Sequence, residues 1–473
     1  MLFNSFEFIF LFLPISLILY FILNNYGKNK LGKGWLIIIS LYFYIYFNYS
    51  YFILIVVSIL LNYFLGNLLY SEKQSELKRK IIFISGLMFN LGTLGYFKYY
   101  DFFIKNINQI FKLNIDLLRL TLPLGISFFT FQQLSFIIDS YKKKSLKYDF
   151  LSYCLFVTFF PQLIAGPIVL PTEMLPQFED EKNKKVNYKN MSKGLYLFSI
   201  GLAKKVLIAD SIAPFADIGF DKMINLTFLE AWLTSISYTM QLYFDFSGYC
   251  DMAMGIALMF NIHLPLNFNS PYKSSNIQEF WKRWHITLGR FLTNYLYIPL
   301  GGNRKGEIKT LRNLLIVFLF SGVWHGAGWN FIIWGGLHGI SILIHRLWKK
   351  TELKMPKFFG WIITIFLVNI FWIFFRANTF KEAMKVIKGM FNIISLPQVI
   401  TATYKSFLPS ILNEKISLMV LVIGILISIL LKNSTFKVEK FNFKFYNLVE
   451  QSLYLFGSIL FLNRVANFLY FNF

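Results

Sequence analysis

Apolar runs repeat along almost the whole chain, each closed by a short stretch rich in lysine, glycine or proline. They fall at Phe8–Leu23, Trp35–Phe47, Tyr51–Tyr70, Ile81–Phe97, Leu122–Ile138, Leu151–Leu170, Gly194–Ala209, Ala231–Phe244, Met252–Phe260, Leu311–Val323, Phe331–Ile344, Phe358–Phe375, Ile416–Leu431 and Ser452–Leu462. A helix that crosses a bilayer needs about 20 such residues, within a range of about 17–25. Several runs are shorter, and broken helices of that kind are tolerated only where protein or a water-filled cavity covers their backbone. The pattern predicts about ten to twelve true spans together with some half-spans. No internal repeat, heptad array or low-complexity tract interrupts it. The polar stretches Pro171–Met191 and Ala377–Lys415 are too small to be enzymes themselves.

Helix breakers fall inside hydrophobic sequence in Leu122–Phe128, which carries Pro123 and Gly125, and in Phe160–Pro167, which carries Pro161, Gly166 and Pro167. Each frees backbone groups that something must satisfy; kinked helices or the lining of an internal cavity would both do so. Phe246-Ser247-Gly248-Tyr249 reads as a further break between two half-helices. It is flanked by Asp245 and Asp251, which at such depth require a buried Lys or Arg as partner. Trp281–Tyr297 reads as an amphipathic helix lying in the interface. Asn276 with Glu279 three residues on starts it, and Pro299 with Gly301-Gly302 ends it. At about 100° per residue, Trp281, Trp284, Leu288, Leu292 and Tyr295 share one face, and Arg283, Thr287, Arg290 and Asn294 the other. His285 falls on the aromatic face, where a histidine needs a partner or a task.

Composition sharpens the membrane reading. The 473 residues are 56% hydrophobic and 20% aromatic with only 15% charged, where soluble proteins carry about a quarter charged. A net charge of +23 could suggest nucleic acid. Yet the cations cluster between apolar runs, at Lys28–Lys33, Lys78–Lys80, Lys142–Lys147, Lys182–Lys193 and Arg346–Lys357, as cytoplasmic loops and headgroup anchors do. No basic surface stands apart from that pattern, so nucleic acid is excluded as a partner. The first run lacks a basic leader and an A-x-A cleavage site and is expected to stay as the first span. The lysines after it favour an outside N-terminus. Cys154 and Cys250 lie in apolar surroundings without CxxC spacing and read as packing residues.

Candidate chemistry centres on Tyr243–Gly339. The five histidines, His263, His285, His325, His338 and His345, fall inside it or just past it. His325 sits among glycines and tryptophans in Ser321-Gly322-Val323-Trp324-His325-Gly326-Ala327-Gly328-Trp329, and an ionisable residue in so apolar a run is a functional candidate. If the segment carrying His285 packs on the one carrying His325, one imidazole could take a proton from a hydroxyl while the other holds the acceptor. Separate packing histidines are the alternative. Neither HxxxH nor HExxH nor a Cys–His cluster is present, so no metal site is expected. Ser247 lacks a nucleophile elbow. Pro299–Gly306 matches a phosphate cradle only loosely and reads as a basic interfacial turn, though its N–H groups with Arg304 and Lys305 could meet a phosphorylated carrier.

Taken together, Met1–Ser5, Gly201–Asp210, Tyr243–Gly255, Phe280–His285, Tyr297–Arg304, Trp324-His325-Gly326 and Trp372–Ala377 resemble the membrane-bound O-acyltransferase (MBOAT) family. The likeness runs over most of the chain, and Gly301-Gly302-Asn303-Arg304 is similar to the alginate O-acetyltransferase-like bacterial subgroup. The resemblance implies an all-α polytopic membrane protein, one MBOAT domain over residues 1–473 with N-terminal spans over 1–120, a catalytic core over 121–350 and C-terminal spans over 351–473. It implies a ring of transmembrane and re-entrant helices around a central catalytic funnel. By motif, His325 and His285 are the expected catalytic pair, with His338, Trp324, Asp245, Asp251, Arg283, Asn303 and Arg304 lining or supporting the substrate passage. The implied reaction moves an acetyl group, ultimately from acetyl-CoA, to hydroxyls of an exported polysaccharide or envelope polymer, with no bound cofactor. The implied partners are membrane lipid, an extracytoplasmic SGNH-type acetyltransferase and the polymer itself, at the bacterial cytoplasmic membrane. D-alanyl transfer to teichoic acid, a polysaccharide or lipid transporter, and a scaffold for soluble acyltransferases are the competing expectations.

Overall fold

The computed structural model describes residues 1–71, 74–143, 148–395, 415–442, 444–462 and 468–469. Part of the basic segment Lys142–Lys147, over residues 144–147, and part of the polar stretch Ala377–Lys415, over 396–414, lie outside the described residues. Among those described, all regular structure is helical. In chain order the helices used below are α1 (Leu13–Asn25), α2 (Asn29–Ile45), α3 (Phe52–Tyr70), α4 (Glu76–Leu94), α5 (Ile126–Tyr141), α6 (Phe150–Thr158), α7 (Tyr188–Ala203) and α8 (Phe228–Met259). They continue with α9 (Ile277–Arg283), α10 (Ile286–Leu292), α11 (Glu307–His325), α12 (Trp329–Trp348), α13 (Lys357–Arg376), α14 (Lys415–Leu430) and α15 (Phe445–Leu460).

Among the described residues, five helical segments are by length and composition long and apolar enough to cross a membrane: Phe8–Asn25, Tyr49–Tyr70, Glu76–Phe111, Trp329–Thr351 and Lys357–Arg376. This is fewer than the ten to twelve full spans expected, because the remaining runs are cut short or carry polar residues. The run Leu151–Leu170 stops at Thr158 and resumes only as a short turn at Phe160–Leu163. Helix α5 carries Gln132, Gln133 and Asp139, all buried, and α11 opens on Glu307, Lys309 and Arg312.

The chain folds into two compact units. One comprises Met1–Phe198 with Tyr249–Pro265, the other Ser199–Gly248 with Leu266–Phe473.

In the first unit the two breaker segments meet. Gly125 takes a left-handed φ of 70° at the start of α5, and a Cβ there would lie 2.8 Å from the carbonyl oxygen of Leu163. Only glycine suits both the angle and the approach. Small residues also set the helix contacts: a Cβ on Gly66 of α3 would strike the Phe136 ring at 2.3 Å. Asn62 and Asn90 exchange side-chain amide bonds of 3.2 and 2.6 Å between α3 and α4, so neither amide is buried unpaired. Asp251, on the part of α8 belonging to this unit, is buried.

In the second unit α11 and α12 form a hairpin held at backbone distance. A Cβ on Gly322 would lie 2.3 Å from the Phe331 carbonyl oxygen, and one on Gly335 2.4 Å from that of Phe318. The expected break at Phe246–Tyr249 is absent, since α8 runs unbroken from Phe228 to Met259. Gly248 serves packing instead: a Cβ there would sit 2.8 Å from the carbonyl oxygen of Gly201.

Candidate active site

The predicted helix over Trp281–Tyr297 is in fact interrupted in its middle. Asn276 caps α9 by accepting from the Glu279 N–H at 2.9 Å, as expected, but α9 ends at Arg283. His285 then adopts φ 45° and ψ 52°, a left-handed conformation that costs an L-residue about 1–2 kcal/mol. The preceding segment braces this kink. The Asn269 N–H donates to the Arg283 carbonyl at 2.9 Å, and the Ile286 N–H donates to that of Asn267 at 3.0 Å. The amide of Asn267 completes the brace. Its Oδ1 accepts from the Thr287 N–H at 3.2 Å and the Thr287 hydroxyl at 2.8 Å, and lies 3.1 Å from His285 Nδ1. An oxygen held by two donors can only accept from a third, so Nδ1 of His285 carries the proton and its lone pair lies on Nε2.

The kink turns His285 inward, to 1% exposure. Its ring meets Phe246 edge-on at 4.9 Å and stands 6.3 Å from the ring of His325. The two histidines that the sequence could only pair conditionally are therefore neighbours. His325 is the last residue of α11, 2% exposed, with Trp324, Trp334 and Phe375 all edge-on at 4.8, 5.0 and 5.1 Å. Gly326 and Gly328 follow in extended backbone and reverse the chain into α12. Gly326 is required for packing, since a Cβ there would lie 2.1 Å from the Phe331 ring.

His338, fully buried on α12, occupies the next compartment. The Trp281 indole donates to its Nδ1 at 3.1 Å. An indole N–H can only donate, so His338 carries its proton on Nε2, the opposite tautomer to His285. Trp334 stands between the two compartments, with ring centroids 5.0 Å from both His325 and His338, and Trp372 stacks on it at 5.7 Å.

Of the supporting residues expected, Trp324 joins the cluster, 6.1 Å from His285. Asp245 is buried elsewhere, 2.6 Å from Lys205 Nζ, which also lies 2.8 Å from Asp210. That supplies the buried cation its depth demanded. Arg283 bonds Glu279 and the Asn269 carbonyl instead of the histidines. Asn303 and Arg304 are exposed on the turn after Gly302. His263 is exposed and His345 half-buried, both outside the cluster. Among the described residues no group of His, Cys, Asp and Glu could hold a metal ion.

A cavity of about 850 Å³ opens beside the cluster. Leu314, Val317, Phe318 and Ser321 of α11 line it at spacings of three and four, a single stripe of that helix. Its other lining includes the cations Lys282, Arg290, Arg346, Lys349 and Lys350, and also Trp281. His325 is the next position of the same stripe after Ser321. Sequence reasoning missed Asn267 and this cavity, since neither an asparagine between apolar runs nor a stripe on one helix signals its partner.

The profile of the membrane-bound O-acyltransferase family matches residues 41–381. A Helicobacter pylori protein named peptidoglycan O-acetyltransferase is 47% identical over an alignment of 516 positions, gaps included, covering 100% of this chain and 98% of that protein. The probable alginate O-acetylase of Pseudomonas aeruginosa is 38% identical over 398 residues, 83% of this chain and 75% of the relative. The teichoic acid D-alanyltransferase of Bacillus subtilis is 29% identical over 241 residues, 49% of this chain and 60% of the relative. With its apolar helices and buried histidines, this chain belongs to the membrane-bound O-acyltransferase family and is a multi-pass membrane enzyme of acyl transfer to hydroxyls.

Proposed function

We propose that the protein moves acetyl groups from acetyl-CoA toward hydroxyls of a cell-envelope polymer, with His325 as general base and His285 assisting it. The observation that carries the reading is the meeting of these two buried rings at 6.3 Å, at the end of a stripe that begins in a cation-rimmed cavity. A phosphate-rich thioester suits that rim, since ammonium and guanidinium groups bind phosphate oxygens strongly. In the step proposed, a ring nitrogen of His325 takes the proton of the acceptor hydroxyl as its oxygen attacks the thioester carbonyl. The C–O bond forms, the C–S bond breaks, and the departing sulfur receives the proton. The aromatic walls around His325 keep water away from the thioester.

Peptidoglycan is the favoured polymer, because the relative that matches the whole chain at 47% is named for it. D-alanyl transfer is less supported, the relative so named matching half the chain at 29%. An envelope polymer lies beyond the cytoplasmic membrane, so an extracytoplasmic SGNH-type acetyltransferase is proposed as the relay partner there. Replacing His325 with Ala, with membrane abundance verified, is expected to lower polymer O-acetylation by about 10²-fold or more. Wild-type acetylation in that variant ends the proposal.

A further inference from the structure

A second crevice, of about 310 Å³, lies apart from the histidines along α14. Leu207, Ile208, Phe244, Ile423, Ile427 and Leu431 make its walls, and Lys204, Lys432, Lys437 and Asn433 also line it. Lys437 is neutralised by Glu450 at 2.6 Å. Lys432 has no carboxylate partner among the described residues and rests its ammonium over the Phe436 ring at 4.1 Å. Beside it, Lys273 is held below its ordinary pKa by burial and by the like charges of Arg283 and Lys432. Like charges crowded in this way attract an anion. The neighbouring face of α14 is lipophilic, with Val422, Leu426 and Leu430 exposed.

We propose that this crevice binds an anionic phospholipid, its phosphate at Lys204 and Lys432 and an acyl chain along Ile423 and Ile427. A phosphate alone would satisfy the lysines. The apolar walls, continuous with a face that exposes aliphatic side chains, favour the lipid. Binding here is independent of the acyl-transfer reading and is measured without any activity.

The full chain in detergent is offered phosphatidylglycerol or phosphatidylcholine with matched acyl chains, and retained lipid is counted by native mass spectrometry. Wild type is expected to retain phosphatidylglycerol about thirtyfold better, the effect of two interfacial lysines of ordinary strength. Lys204→Gln with Lys432→Gln abolishes the preference. Ile427→Trp, which fills the apolar wall and leaves every lysine in place, lowers retention of phosphatidylglycerol. Lys78→Gln with Lys80→Gln, exposed in the other unit, changes nothing. Equal retention of the two lipids by wild type overturns the proposal, as does an unchanged preference in the Lys204/Lys432 variant. Displacement of phosphatidylglycerol by millimolar inorganic phosphate would mark a free-anion site and overturn it equally.

Discussion

Asn267 concentrates three donors on one oxygen, and that arrangement decides which nitrogen of His285 keeps its lone pair. Replacing Asn267 with Ala removes the oxygen that the His285 Nδ1–H and both Thr287 donors share. A buried donor left unmade costs about 1–3 kcal/mol, so a lower unfolding midpoint is expected. The turnover number should fall more than the Michaelis constant rises, because the imidazole is free to adopt the wrong tautomer. Asn267→Asp keeps an acceptor at the same place and should restore most of the turnover. Unchanged turnover in Asn267→Ala would mean that the amide only braces the backbone. At this scale the burial of His285, His325 and His338 was legible, because each stands in or beside an apolar run. Their partners were not. Asp245 announced that it needed a cation, but 47 lysines and arginines could have supplied it, and only the fold selects Lys205. Asn267 is tied to His285 by a backbone kink that no neighbouring residue foretells.

Between elements, the α11–α12 hairpin sets the spacing of the histidines it carries. Gly335→Ala would put a methyl group 2.4 Å from the Phe318 carbonyl oxygen, with the backbone of Gly322 at 3.2 Å. Neither neighbour is a flexible side chain, so the helices must part. Overpacking of this kind costs about 1–3 kcal/mol, and the displacement should reach His325 and His338 and depress acyl transfer. Gly336→Ala is the control, since its nearest neighbour is a Leu319 methyl at 3.7 Å and a mid-helix alanine is favoured over glycine by about 1 kcal/mol. Thermal unfolding and acyl-transfer rates of the two variants should therefore diverge; parallel losses would count against close packing as the cause. Two elements were misread for related reasons. Gly248 looked like a breaker but is a contact glycine inside an unbroken helix. The segment through His285 looked continuous, because the residue that turns left-handed there is a histidine rather than a glycine.

Across the whole molecule, the periodicity of apolar runs was enough to predict a helical membrane protein, and the cations behind the +23 charge cluster in segments between those runs. The number of full spans was not legible, since run length does not reveal where buried amides and carboxylates are paired inside the fold. The same charge pattern makes a topological prediction. Ser50 and Lys78 lie at opposite ends of the span Tyr49–Tyr70, and Lys350 and Asn378 at opposite ends of Lys357–Arg376. Lysine clusters next to spans stay in the cytoplasm, which assigns positions 78 and 350 to the inside and 50 and 378 to the outside. All four residues are exposed, while the native Cys154 and Cys250 are buried, so single introduced thiols should report cleanly. A membrane-impermeant maleimide added to spheroplasts is expected to label cysteines at 50 and 378 and to reach those at 78 and 350 only after the membrane is opened. Labelling of the cysteine at 350 in sealed spheroplasts would reverse the second unit. The cation-rimmed cavity lined by Lys349 and Lys350 would then open outside, away from cytoplasmic acetyl-CoA, and the donor proposed here would have to be abandoned.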